Sequence, residues 1–226
     1  DYLASTERDA GNLMRAIDLS QEGVRRLKAV TPPDETEIAR LRRNMAGWMI
    51  ELDDLPGARA LLEDVLPAYR SMYGDKHWRV ASVLASLGSI IVNRGDSTAL
   101  GYLREAEAIR RARPGPVDPE LARIYHSQAT WQLTQQDWRG TVATCERGLA
   151  AATSNPPLVR IVTGQLHALR VRALALGTDT TGLALACDEM DHAMVTLALD
   201  SSSVSDAVHL ARSYARTTQG RDAEAW

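Results

Sequence analysis

Residues 73–96 read YGDKHWRVASVLASLGSIIVNRGD, and this stretch decides the fold class. Its apolar or small residues Val80, Ala81, Leu84, Leu87, Gly88, Ile91 and Val92 return with the i, i+3, i+4 rhythm that places them on one stripe of an amphipathic helix. Gly95 supplies the residue that a helix end accepts in left-handed conformation, and Asp96 offers a side-chain acceptor to cap the next helix. One stretch therefore carries a loop, a helix and a turn.

The same pattern lies on both sides of it. The loops TPPDETEIA at 31–39, YGDKHWRVA at 73–81 and PGPVDPELA at 114–122 end on Ala39, Ala81 and Ala122, spaced 42 and 41 residues apart. A residue pair ending in a small side chain follows each: Met45-Ala46, Leu87-Gly88 and Gln128-Ala129. Counting back 42 from Ala46 reaches Ala4, preceded by Leu3. A second helix keeps the register, with Ala16, Ala58, Ala99 and Thr141 where a small residue lets two helices approach. Val65-Leu66, Ala106 and Gly148-Leu149 recur further along it. Breakers precede these second helices at Gly11, at 53–57 with Pro56, at Gly95-Asp96 and at Gln136-Asp137. One residue fewer between Gly95 and Ala99 than between Asp53 and Ala58 accounts for the single spacing of 41.

Beyond residue 153 the pattern is looser. Pro156-Pro157 opens a helix to about Leu176, residues 177–181 make a turn, and another helix runs to about Leu199. Ser203 and Asp206 have capping-box spacing ahead of a helix carrying Leu210, Ala211 and Tyr214, and Gly220 opens a last, incomplete helix. The whole predicts about ten helices in antiparallel pairs and no strands, because a lone pair cannot bury its apolar face while stacked pairs share a core. The expected fold is all-α: a right-handed α–α superhelix with first helices on the concave face and second helices on the convex one. We expect a single repeat domain over 1–226, regular over 1–153 and divergent over 154–226. Both termini fall inside a repeat, as in a segment of a longer protein.

Composition excludes several functions. The chain has 226 residues, 45% hydrophobic and 24% charged, with a net charge of -3. That balance provides no basic face for a phosphate backbone, so no nucleic-acid partner is expected. No window approaches ~18 uninterrupted apolar residues, and the opening DYLASTERDAG has no signal-peptide character. We therefore expect a cytoplasmic segment without membrane contact. Cys145 and Cys187 read as small buried hydrophobes, too few for a zinc site or a disulfide framework.

Candidate chemistry is sparse. Asp188, Glu189, Asp191 and His192 are the densest set of ligand types, with Asp188 and His192 at i, i+4, but no further His or Cys stands beside them to complete a metal shell. They read as a solvated helix face. His126 reads as a groove residue and His77 as a loop residue, and no nucleophile has a matched histidine and acid. Neither catalysis, nor a metal, nor a cofactor is expected. Trp78 and Trp138 read as packing between repeats. Trp48 and Trp131 each lie two residues past a small one, which argues for a repeated structural contact, with a binding anchor on a groove rim as the alternative.

The small residue inside the first helix, the Gly or Asp in the turn and the Ala opening the second helix resemble the tetratricopeptide repeat. The 42-residue spacing is similar to the longer variant found in kinesin light chains, over residues 1–153. Residues 73–96 and the tail LARSYARTTQGRDAEAW also resemble the repeat region that follows the catalytic domain of some bacterial serine/threonine kinases. No glycine-rich loop, HRD or DFG is present, so that resemblance implies a non-catalytic interaction or regulatory region. Gln128, Thr141 and Arg170 depart from the repeat pattern.

The resemblance implies a concave groove for a protein or peptide partner. Its inward positions fall on Arg40, Arg43, Asn44, Gly47 and Glu51, then on Ser82, Ser86, Ser89 and Asn93, then on Arg123, His126, Ser127, Thr130 and Thr134. Asn44 resembles the groove asparagine with which this family holds peptide backbones. A solvated inner surface is the alternative for these residues. For the chain as a whole, the second functional class is the ligand- or peptide-sensing region of a bacterial transcriptional regulator.

Overall fold

In a computed structural model, the structure describes residues 2–9, 11–113, 118, 120–152, 157–177, 180–197 and 213. Their regular structure is helical throughout, in chain order α1 (Tyr2–Asp9), α2 (Leu13–Ala29), α3 (Glu35–Glu51), α4 (Leu55–Tyr73) and α5 (Trp78–Ile91), which ends in a 3-10 turn at Val92–Arg94. There follow α6 (Ser97–Arg111), α7 (Glu120–Thr134), α8 (Trp138–Ala151), α9 (Pro157–Leu176) and α10 (Thr180–Thr196). The all-α expectation holds among the described residues. The capping box at Ser203 and the helices expected near 210–214 and 220 lie outside the described residues.

The turns repeat one device. Gly11, Asp53, Gly95 and Gln136 have φ of 83°, 62°, 66° and 61°, and each precedes an Asn or Asp at the helix N-cap. Asp54 accepts from the Gly57 N–H at 3.0 Å and Asp137 from the Gly140 N–H at 2.9 Å. Each cap fills one otherwise unsatisfied donor of the first helical turn and contributes about 1 kcal/mol. The capping carboxylates lie where a Cβ on Gly57 or Gly140 would sit, which explains glycine three residues after the aspartate. Asp96 instead accepts from the Thr98 N–H, two residues on, at 2.9 Å. That tighter cap absorbs the missing residue. Pro56, expected in the turn, belongs to the first turn of α4, where proline's missing N–H costs no hydrogen bond.

The packing forms two compact units, Asp1–Ile90 and Ile91–Trp226. In the first, α1 packs on α2, α2 on α3 and α3 on α4. Ala4, Ala16, Ile17, Met45 and Trp48 make one core cluster, and Ala46 and Ala58 have no exposed surface. In the second unit α7 packs against α6, α8 and α9, and α9 against α10. Ala122, Ala129, Cys145, Val162 and Leu166 form one cluster there, and Val171, Leu183, Ala186 and Met190 belong to another. The repeated small positions Ala16, Ala58, Ala99 and Thr141 are all fully buried, so the register read from the sequence is the contact register. Each buried Leu or Ile among these helices adds about 1.5–3 kcal/mol of transfer free energy.

The departures from the repeat pattern have polar partners. Thr141 turns its hydroxyl onto the Asp137 carbonyl at 2.8 Å. Arg170 pairs with Glu189 of α10. Gln128 is buried and donates to Glu107. Trp78, expected to pack between repeats, is 41% exposed, with its ring beside His77 and under the Arg79 guanidinium.

Candidate functional site

Four of the expected groove residues come together in the first unit. Arg43, Asn44, Gly47 and Glu51 lie along one face of α3 at i, i+1, i+4 and i+8, away from the stripe that buries Ala39 and Ala46. With Trp48 and with Ser5 and Arg8 of α1, they line a pocket of about 290 Å³. Trp48 is fixed in the core cluster and supplies a rigid apolar wall. A Cβ placed on Gly47 would meet nothing within 4 Å, so the pocket is open at that point.

The α3 side chains of this pocket have no polar partner among the described residues. Arg43, Asn44 and Glu51 form no hydrogen bond or ion pair with any described residue. Arg40, one turn earlier, is committed: it makes a two-pronged contact with Glu37, which holds the Glu37 carboxyl below its usual range.

The other expected residues stand apart from the pocket. Ser82 and Ser86 are half-buried on α5, and Ser89 donates to the Ser86 carbonyl at 2.9 Å. In the second unit Asn93 is exposed in the 3-10 turn and Arg123 pairs with Glu120 at 3.2 Å. Ser127 is buried at 8% exposure, which removes it from any open face. Thr130 and Thr134 donate to the carbonyls of His126 and Trp131, so their hydroxyls serve their own helix. His126 is half-buried, and burial, with Arg123 adding to it, pushes its pKa down to about 4.

Sequence reasoning missed Ser5 and Arg8, whose place depends on how α1 meets α3. It also missed a cavity of about 650 Å³ in the second unit, lined by Trp138, Arg139, Val142, Glu146, Leu174 and Gly177 among others. Trp131, expected to make a structural contact, donates Nε1–H to the Asp96 carbonyl at 3.1 Å. Among the described residues no group of three or more His, Cys, Asp or Glu is placed to hold a metal ion. Asp188, Glu189 and His192 line an open cavity of about 460 Å³ with His167, whose pKa burial lowers. Cys145 is buried and its thiol is pushed up to about 12 by that burial, while Cys187 is half-buried; neither forms a disulfide. Among the described residues no helix is long and apolar enough to cross a membrane.

No protein-family model matches the chain, and no curated protein matches it in sequence. Its fold is similar to the crystal structure of BtubC (BKLC) from P. vanneervenii, with a TM-score of 0.73 and 16% identity over 86% of this chain and 78% of that one. At that identity the likeness concerns the fold alone, which is all-α.

Proposed function

We propose that the chain is a non-catalytic scaffold of the tetratricopeptide type that binds a protein or peptide segment, with the pocket between α1 and α3 as its principal contact. One observation carries the reading: Arg43, Asn44 and Glu51 line an open pocket and are engaged by no described residue. A side chain ordered by its helix but left without a partner is ready to exchange water for a ligand. Asn44 both donates and accepts, so it suits the amide edge of an extended peptide. Arg43 and Glu51, eight residues apart on α3, are separated by about 12 Å along the helix, the span of three or four extended residues. The wall of Trp48 adds an apolar surface of the kind that anchors peptide side chains. The resemblance of residues 73–96 to kinase-linked repeats supports reading such a module as the interaction or regulatory region of a bacterial signalling protein, such as a serine/threonine kinase.

Selection from a displayed library of unstructured peptides tests the reading. Peptides enriched on the native chain should fail to enrich on Gly47→Arg, whose side chain enters open space without disturbing the core. Equal enrichment on both proteins would sink the proposal.

A further inference from the structure

The cavity of about 650 Å³ in the second unit has an ordered lining. Arg139, Val142, Ala143 and Glu146 stand at i, i+3, i+4 and i+7 on α8, so they share one face of that helix, and all four line the cavity. From the end of α9 come Ala173, Leu174 and Gly177. Trp138, at the start of α8, is half-buried and completes the apolar wall. A Cβ on Gly177 would fall 3.1 Å from Trp138 Cβ and 3.4 Å from its Cδ1, so the glycine lets the end of α9 close on the indole.

The two ends of this α8 face differ in charge. Arg139 has no hydrogen bond or ion pair with a described residue, and the side chain of Gln136, which also lines the cavity, has none either. Asp137 is turned onto the Gly140 N–H as the cap of α8. At the other end Glu146, 59% exposed, lies 3.9 Å from Arg170, whose guanidinium is already paired with Glu189 of α10. Two carboxylates share one guanidinium there, so that end keeps a net negative charge. Seven residues of helix set the Arg139 and Glu146 backbones about 10.5 Å apart, with Val142 and Ala143 between them.

We infer that this cavity binds a short zwitterionic ligand with an apolar body, of the class of a free tripeptide. The ligand carboxylate meets the Arg139 guanidinium, which can take it bidentately, and the ammonium meets Glu146. The apolar body lies on Val142, Ala143 and Leu174, with the Trp138 ring beside it. Three extended residues span about 10 Å, which matches the separation of the two charges along α8. The volume falls in the range of small-molecule sites, about 300–1,000 Å³, and apolar walls with a few polar groups are what such sites show. The Gln136 amide both donates and accepts, so it is available to the ligand's peptide groups. A segment inside a longer chain carries neither terminal charge, which separates this ligand from the partner proposed for the pocket between α1 and α3.

Calorimetric titration of trileucine into the native chain should show saturable binding. Acetylating its N-terminus removes the charge that meets Glu146, and amidating its C-terminus removes the one that meets Arg139. Each cap should weaken binding about fivefold, the worth of one partly exposed charge pair. Arg139→Gln should weaken the free peptide by the same factor and make it indifferent to amidation but still sensitive to acetylation; Glu146→Gln should do the reverse. Both residues are exposed, so both variants should melt within about 2 °C of the native chain. No saturable binding, equal binding of free and capped peptides, or cap effects that both variants preserve would each overturn the inference. Neither residue lines the pocket beside Asn44, so the proposed function would survive that result.

Discussion

Gln128 Nε2 donates to Glu107 Oε2 at 2.9 Å, tying α7 to α6 at a position where the repeat pattern calls for leucine. The other carboxylate oxygen of Glu107 accepts from the Tyr125 hydroxyl at 2.9 Å and lies 3.4 Å from both Arg111 and Arg147. Arg147 in turn covers the Tyr125 ring at 4.9 Å. One polar residue in the apolar stripe has therefore recruited partners on three helices. Glu107→Ala should cost about 2–3 kcal/mol in urea unfolding, because it strands the buried Gln128 amide and the Tyr125 hydroxyl. Gln128→Leu, which removes donor and apolar mismatch together, should cost less than half as much. A larger loss for Gln128→Leu than for Glu107→Ala would contradict this ordering.

The same carboxylate makes stability depend on acid. Burial raises the Glu107 pKa, but the hydrogen bonds from Gln128, Tyr125 and Arg111 and the charge of Arg147 outweigh it, leaving it below 4.5. The charged form is thus preferred in the folded chain, and its contribution is present above 4.5 and lost as pH falls through the folded value. His126 acts in a higher window. Its folded pKa, about 4, lies below its ordinary 6.5, so the unfolded chain takes up a proton that the folded chain refuses. Stability should fall as pH drops from 6.5 towards 4, by up to about 1.4 kcal/mol per unit for this one proton. Denaturant unfolding of native and His126→Gln proteins across that range checks it: the variant should show a shallower slope, and identical slopes would refute the assignment.

Two glycines on helices should respond oppositely to substitution. A Cβ on Gly148 would lie 2.8 Å from Leu166 Cδ1 and 3.1 Å from Tyr125 Cβ, both buried residues of the second unit. Gly148→Val should destabilise by about 1–3 kcal/mol through overpacking. Gly47 meets nothing within 4 Å, and Gly47→Ala should stabilise by up to about 1 kcal/mol by restricting the unfolded chain and favouring the helix. Thermal unfolding of the two variants settles the comparison; a destabilised Gly47→Ala would mean that the pocket is closed.

The small positions were legible because contact between helices depends on side-chain volume, which the sequence states outright: Ala16, Ala58 and Ala99 recur, and all three are fully buried. The turns were legible for a similar reason, since Gly95 in left-handed conformation and Asp96 as a cap follow from backbone chemistry. Side-chain direction was not. Thr130 and Thr134 have the right spacing for a groove, yet their hydroxyls bond to their own helix, a rotamer choice that spacing does not fix. Ser127 lies one residue from half-buried His126 and is buried, because α7 packs against neighbours on several sides. The aromatic and arginine cluster at Tyr73, His77, Trp78 and Arg79 was visible as composition but not as geometry. Its stacking depends on how the end of α4 and the start of α5 are turned towards each other.

On the proposed function, the pocket beside Asn44 holds a peptide. Calorimetric titration of a library-selected peptide into native and Asn44→Ala proteins tests it most directly, with thermal unfolding measured alongside. Loss of the amide should weaken binding by about tenfold, the worth of one good hydrogen bond in a partly desolvated site, while the melting temperature stays within about 2 °C. Equal affinities in the two proteins would contradict the account.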